Sequence, residues 1–354
     1  MLLEGIFPAL TTPFYPDGRL YLRKLEHNVD RYSRTPVAGM AVLGSTGEAP
    51  MLSDEETREV LHTARKAASP EKVLIAGVGR ESLLETLRLI DYAAGQSYDA
   101  VLVRTPSFYG AATESTAMLT YYRTLADRSA LPVLLYSNPA CTHYALPVEV
   151  VAELAQHPRI IGIKDSGGSE ERLKALIAAT AKAPKRAVEV TPVFTAVTTR
   201  MIEEAALAEV ALVSIAGASG DLLTLPSILP TAVPALKTRT KQVGFTVLTG
   251  DPKLLYTALA SGASGGVVAL AACLPQACQE VYWAWKDNDP KLAEQKQQEL
   301  LPAIQMVNGR YGIAGIKHAC DLNGYYGGVP RLPLLPVNAE AEAQIAETLV
   351  TLRH

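Results

Sequence analysis

From the first residues onward, short runs of β-branched and aliphatic residues alternate with stretches whose apolar positions repeat every three or four residues. That alternation predicts parallel βα units rather than hairpins. Eight apolar runs stand out, near 6–10, 37–43, 72–78, 99–104, 132–136, 159–164, 243–248 and 265–269. Helix starts fall between them. Ser53-Asp-Glu-Glu56 fits a capping box, and Asp251-Pro252 sets a cap residue before a proline at the first helical position. Eight parallel units predict an α/β fold, a closed (β/α)8 TIM barrel. The rival, an open doubly wound sheet, has neither a GxGxxG turn nor a Walker loop after the first strand to support it.

Two segments depart from the rhythm. About sixty residues, 184–242, form an insertion between helix 6 and strand 7, where a handful would serve. Within it lie a helical pattern (195–209) and an apolar run (210–215), so it is expected to be ordered. A helix-to-strand connection belongs to the amino-terminal face of a barrel, opposite the strand ends where barrel chemistry is found. The other departure is 274–354, which reads as a closing helix plus a C-terminal helical extension with the Gly/Pro-rich interruption GYYGGVPRLPLLP. The expected organisation is a barrel over 1–273, interrupted at 184–242, followed by that extension.

Composition narrows the function. With 354 residues, 48% hydrophobic and 19% charged, the chain can bury a large core. Its net charge of −3 and sequence pI of about 6.1 offer no basic field for nucleic acid or an anionic membrane surface, so the expected partner is a small molecule. The start, MLLEGIFPALTTPF, lacks a basic segment ahead of an apolar run, and no stretch of about 18 apolar residues occurs, which predicts a cytoplasmic protein. The four cysteines form no CxxC pair and are expected as reduced thiols. The six histidines show no HExxH spacing, and no metal or organic cofactor is expected.

Candidate chemistry collects at strand ends. The sixth run closes on Lys164, which would face the catalytic end of a barrel; a lysine there either snorkels to solvent or, desolvated, loses proton affinity and becomes a nucleophile toward a ketone. Tyr136 closes the fifth run and would sit beside Lys164 on the neighbouring strand, as a packed aromatic or as a proton carrier. After the second strand, Gly44-Ser45-Thr46-Gly47-Glu48 is either an ordinary βα loop or a turn whose N–H groups and two hydroxyls meet a carboxylate. Arg80 and Arg104 fall at the ends of the third and fourth strands, where surface salt bridges or a bound carboxylate would account for them.

Taken together, GSTGE (44–48), TPSFY (105–109), LLYSNP (134–139), IIGIKDSGG (160–168) and LTGD (248–251) resemble the dihydrodipicolinate synthase and N-acetylneuraminate lyase superfamily of pyruvate-dependent aldolases. The resemblance spans nearly the whole chain outside 184–242. Within that group, the runs at 156–168 and 311–334 are similar to those of 4-hydroxy-2-oxoglutarate aldolases.

The resemblance implies that Lys164 forms an imine with the 2-oxo carbon of a pyruvyl unit and that Tyr136 moves protons. It implies that Ser45 and Thr46 bind the carboxylate and extend the relay. Gly250 would let the pyruvyl group approach the backbone, and Ser166 would stand at the pocket wall. The superfamily relay draws a tyrosine from a neighbouring subunit at the TPSFY stretch, which points to Tyr109, since Phe108 cannot carry a proton, and to a homo-oligomer, a dimer or tetramer. One departure bears on substrate. Where dihydrodipicolinate synthases place an arginine shortly after the YNxP-type turn, this chain has Cys141, and a neutral thiol cannot replace a guanidinium–carboxylate pair. The expected reaction is therefore reversible cleavage of a 4-hydroxy-2-oxo acid, 4-hydroxy-2-oxoglutarate to pyruvate and glyoxylate. The alternatives are condensation of pyruvate with aspartate semialdehyde, cleavage of a sugar-derived 2-oxo acid, or a non-catalytic assembly paralogue.

Overall fold

The computed structural model describes residues 2–109, 114–190 and 239–352. Among them the strands run in chain order as β1 (Gly5–Pro8), β2 (Gly39–Val42), β3 (Val73–Gly77), β4 (Ala100–Arg104), β5 (Val133–Ser137), β6 (Ile160–Asp165), β7 (Arg186–Val190), β8 (Arg239–Val243), β9 (Thr246–Thr249) and β10 (Gly265–Val268). Eight of them pair in the order β2-β3-β4-β5-β6-β9-β10-β1, all parallel where paired. The remaining seam, between β1 and β2, is closed by Ala38 N–H donating to Ile6 O at 2.9 Å and Leu10 N–H to Ala41 O at 3.0 Å. The result is the (β/α)8 barrel that the alternation predicts.

Period-2 alternation sorts the side chains into two apolar sets. Phe7, Ala41, Ile75, Leu102, Leu134 and Leu248 pack together with Tyr136 on the same face and fill the barrel. Their strand neighbours, such as Met40, Leu74, Val101, Leu135 and Ile163, pack outward against the helices. Each fully buried side chain of this size is worth roughly 1.5–3 kcal/mol over its exposed state. The parity matters for the site: Ile163 faces the helices, so Lys164 next to it turns inward.

The helix starts follow their sequence signals. Ser53 and Glu56 form the capping box of helix Asp54–Ala67, and the Asp251 carboxylate accepts the Lys253 N–H at the turn Pro252–Leu254. After β10 come helices Pro275–Lys286, Pro290–Ala303 and Gly312–Leu322, then an extended strap and helix Ala339–Thr348. The Tyr325 ring of the strap stacks on Tyr32 of helix Leu22–Ser33 at 4.3 Å. The extension therefore packs on the barrel's first helix.

The chain divides into two compact units, Met1–Arg186 with Gln242–His354, and Ala187–Lys241, of which the second is described only at its ends. At the ends of the second, β7 and β8 pair with each other in a two-stranded sheet. This corrects one strand expected from the sequence: the apolar run 243–248 is two elements, since Val243 ends β8 and the barrel strand is Thr246–Thr249. The break falls at Gly244, which has no side chain to pack on either sheet. The helical pattern at 195–209 and the apolar run at 210–215 lie outside the described residues. No helix among the described residues is long and apolar enough to cross a membrane.

Candidate active site

Parallel pairing of β5 with β6 sets Tyr136 directly opposite Lys164, and pairing of β4 with β5 sets Arg104 opposite Tyr136. Three candidate side chains thereby share one level at the carboxyl ends of adjacent strands, the end of a barrel where chemistry is generally found. Lys164 is only 3% exposed, and its Nζ stands 4.2 Å from the centroid of the Tyr136 ring. At that distance the ring face attracts the lysine ammonium.

The Tyr136 hydroxyl is gripped from two sides. It shares a 2.8 Å hydrogen bond with Ser45 Oγ and accepts one of 2.9 Å from Asn138 Nδ2, which also reaches Ser45 Oγ at 3.4 Å. Because the amide can only donate there, the phenolic proton is left for Ser45 or a substrate oxygen. Asn138 is a site residue that the sequence does not single out. Its signal there is an Asn before Pro139 at the start of the short helix Pro139–Thr142, which reads as a turn.

Of the two hydroxyls in the GSTGE turn, Ser45's meets Tyr136, while Thr46 is buried in the 3₁₀ turn Ser45–Gly47. The turn ends on Glu48 in the left-handed region (φ 54°, ψ 32°), which costs a non-glycine residue about 1–2 kcal/mol. The Glu48 carboxylate lies 2.6 Å from Lys317 Nζ, both side chains fully buried, and its second oxygen accepts the Arg331 N–H at 2.8 Å. Burial pulls the Lys317 ammonium below the usual lysine range, and Glu48 pushes it back up. Neither Glu48 nor Lys317 stands out as a functional residue in the sequence, because nothing local joins them.

Gly250 follows β9, and its N–H donates to Asp165 O at 2.6 Å. A Cβ there would stand 2.0 Å from Ser166 Oγ and 3.1 Å from Lys164 Cε, so only glycine lets the backbone come this close to the lysine. Ser166 and Gly250 thus belong to the surroundings of Lys164. Asp165, nearly unexposed, is fixed by Arg172 Nε at 2.9 Å, while Arg172 also donates to Leu146 O at 2.7 Å. These bonds anchor the end of β6.

A cavity of about 650 Å³ opens beside this cluster. Ser45, Tyr136, Asn138, Cys141, Arg80 and Arg104 are on its wall, whereas Lys164, Ser166 and Gly250 sit against Tyr136 and one another rather than on that wall. Both arginines are paired: Arg104 lies 2.8 Å from Glu81, and Arg80 lies 3.5 Å from Asp54 and donates to Thr57 Oγ1 at 2.7 Å. Burial draws the Arg80 guanidinium below its usual range. Burial would raise the Glu81 carboxyl, but the Phe108 and Ser107 N–H groups and Arg104 outweigh it and hold it below the ordinary value. Salt bridges therefore account for both arginines, and both also line the cavity.

Tyr109 is not part of this cluster. It is 78% exposed, edge-on to the equally bare Phe108 at 5.3 Å. Glu81 holds the preceding backbone by accepting the Ser107 and Phe108 N–H groups at 2.9 and 3.0 Å, which projects the two rings outward. All four cysteines are free thiols, Cys141 exposed and Cys273, Cys278 and Cys320 buried. Among the described residues no cluster of three or more His, Cys, Asp or Glu is arranged to hold a metal ion.

A profile of the Dihydrodipicolinate synthetase family matches residues 2–185 and 192–352. The chain belongs to the dihydrodipicolinate synthetase family. Curated relatives include the 4-hydroxy-tetrahydrodipicolinate synthases of Methanothrix thermoacetophila, 27% identical over 351 residues covering 99% of this chain and 97% of that protein, and of an Exiguobacterium species, 26% identical over 348 residues covering 98% and 97%. Among solved structures, a pyruvate complex of an Escherichia coli K12 prophage protein of the dihydrodipicolinic acid synthase family superposes with a TM-score of 0.77 at 25% identity, covering 99% of both chains. A Bacillus anthracis dihydrodipicolinate synthase superposes with a TM-score of 0.78 at 21% identity over the full length of both, a likeness of fold. Membership makes the protein a carbon–carbon lyase of class I, an aldolase that works through a lysine Schiff base with pyruvate.

Proposed function

We propose that Lys164 is the Schiff-base lysine, that Tyr136 carries the protons, and that the reaction is reversible cleavage of a 4-hydroxy-2-oxo acid bearing a second carboxylate, 4-hydroxy-2-oxoglutarate. The observation that carries this reading is the Lys164 amine held against the Tyr136 ring, with the phenol bonded to Ser45 and Asn138. Lys164 Nζ adds to the C2 carbonyl, and loss of water gives a protonated imine. As the C3–C4 bond breaks, its electron pair passes to the imine nitrogen, and Tyr136 accepts the C4 hydroxyl proton. Glyoxylate leaves. The enamine takes a proton at C3, and water adds to the resulting imine to release pyruvate and the free lysine. The Ser45–Thr46 turn would hold the pyruvyl carboxylate, and Gly250 with Ser166 would leave room for it beside Lys164.

The distal carboxylate would enter the cavity toward Arg80 and Arg104, the two guanidinium groups on its wall. It would compete with Glu81 for Arg104. The exposed Phe108–Tyr109 pair is where a second subunit of a dimer or tetramer would pack, bringing Tyr109 into a relay.

Condensation of pyruvate with aspartate semialdehyde is the second reading, favoured by the names of the curated relatives at 26–27% identity. Against it stands Cys141 on the cavity wall, in the place where the family resemblance implies an arginine for that reaction. A panel decides between them: pyruvate release from 4-hydroxy-2-oxoglutarate and from a sugar-derived 2-oxo acid, set beside reductase-coupled condensation with aspartate semialdehyde. Faster condensation than cleavage of 4-hydroxy-2-oxoglutarate overturns the substrate assignment and leaves the Schiff-base chemistry standing.

A further inference from the structure

Glu48 has two faces. It lines the cavity, three residues beyond Ser45, and its buried carboxylate pairs with the equally buried Lys317 of the C-terminal extension. We propose that the Glu48–Lys317 ion pair is a positioning device that fixes the Ser45 hydroxyl against Tyr136, so that the extension after the barrel sets the geometry of the proton relay. This rests on the reading of Tyr136 as the proton carrier.

The turn is closed from within by Glu48 N–H donating to Ser45 O at 3.1 Å, and from below by Thr12 Oγ1 donating to Gly47 O at 2.6 Å. Displacing Glu48 therefore displaces Ser45. Each oxygen of the Glu48 carboxylate has a separate anchor on the extension, Lys317 Nζ on helix Gly312–Leu322 and the Arg331 N–H on the strap. Those anchors are themselves tied down. Lys317 Nζ donates to Val329 O at 2.8 Å and lies 4.4 Å from the Phe14 ring centroid. The Arg331 guanidinium covers the same ring at 4.4 Å and donates to Gly18 O at 2.6 Å, Met51 O at 2.7 Å and both oxygens of Glu56 at 2.7 Å. The strap presses onto the helix so closely that a Cβ at Gly327 would stand 1.9 Å from Lys317 O.

Stability alone does not call for such a pair, since apolar side chains of like volume commonly serve a buried site as well or better. What the charges add is direction. A carboxylate with one cation and one N–H at fixed places has a single seat, and the left-handed backbone of Glu48 passes that seat on to the turn.

The test measures kcat, pyruvate KM and the rate of borohydride-trapped adduct formation on Lys164 per folded molecule. Wild type, Glu48→Gln, the double variant Glu48→Gln/Lys317→Met and a core control, Val60→Ala, are compared. Positioning predicts that both Glu48 variants lose about tenfold or more in kcat, on the scale of a disturbed proton-transfer group, with a smaller change in pyruvate KM. The double variant, free of buried charge, should melt nearer to wild type than the single one without regaining the rate. Val60→Ala should melt lower and keep its rate per folded molecule. If Glu48→Gln does not fold, the double variant decides alone. A double variant with wild-type kcat, or rates that only track the folded fraction, overturns the proposal. Absence of a Lys164 adduct in the wild type sinks the underlying reading of the site and this inference with it, whereas a trapped wild type with unimpaired variants sinks this inference alone.

Discussion

Tyr136 and Lys164 are register partners on β5 and β6, and the lysine amine stands 4.2 Å from the centre of the phenol ring. Two residues far apart in side-chain chemistry are brought to one point by the simplest rule of a parallel sheet, that facing positions project together. If Lys164 is the imine-forming residue, borohydride with pyruvate should attach one reduced three-carbon unit to it, seen by peptide mass. Lys164→Ala should abolish the adduct and the lyase activity. An adduct on any other lysine would falsify the assignment.

The phenol's two hydrogen bonds give graded expectations. Tyr136→Phe removes the proton carrier and should cost roughly 10²–10⁴ in kcat. Ser45→Ala and Asn138→Ala each remove one bond to the hydroxyl and should cost about tenfold, near the worth of one hydrogen bond in the transition state. Steady-state kinetics on the three variants checks the order. No loss for Asn138→Ala would remove Asn138 from the relay, and a loss from either variant as large as that of Tyr136→Phe would overturn the order.

Gly250→Ala tests the close approach to Lys164. Its methyl would stand 2.0 Å from Ser166 Oγ, so the β6 end or the turn after β9 must move. Trapping of pyruvate should slow markedly, and the second change Ser166→Gly should recover part of it. A Gly250→Ala enzyme that traps pyruvate at the wild-type rate would show that the backbone there has room to spare.

Cys141→Arg should raise condensation with aspartate semialdehyde relative to cleavage of 4-hydroxy-2-oxoglutarate. A charge-assisted pair is worth roughly 1.5–3 kcal/mol, about ten- to a hundredfold in specificity. Conversely, Arg104→Met or Arg80→Met should lower kcat/KM for the dicarboxylate substrate while pyruvate imine formation is spared. If all readouts fall together, the arginines support the fold through Glu81 and Asp54 rather than the substrate.

The Arg331–Glu56 fork predicts a pH dependence of stability. The hydrogen bonds from Arg331 hold the Glu56 carboxyl below its ordinary value of 4.5. A carboxyl whose folded-state value is depressed stabilises the fold above its unfolded value, and that contribution disappears as pH falls through the folded one. Glu56→Gln keeps the capping box but not the charge, and should cost on the order of 1 kcal/mol at neutral pH, allowing for its partial exposure. Urea titrations from pH 7 to about 3 should show the two proteins converging at the acid end, since both then carry a neutral side chain. Parallel curves would assign the effect to packing.

Local periodicity by itself determined a great deal about this protein. Alternating apolar runs and helix caps specify a parallel barrel, because strand and helix patterns are written over a few consecutive residues. Strand ends then put Lys164, Tyr136, Arg80 and Arg104 at one rim. The run 243–248 reads as one strand and is not, since apolar pattern alone does not show that Gly244 divides two sheets. Only the tertiary structure decided what each rim residue touches. Arg104 meets Glu81, Asn138 turns back onto Tyr136, and Tyr109 points away into solvent. Least legible of all was Lys317, an ordinary lysine on a C-terminal helix until the strap packs that helix beneath the GSTGE turn. A buried charge finds its partner through packing across the whole chain, and separation along the sequence carries no trace of that distance in space.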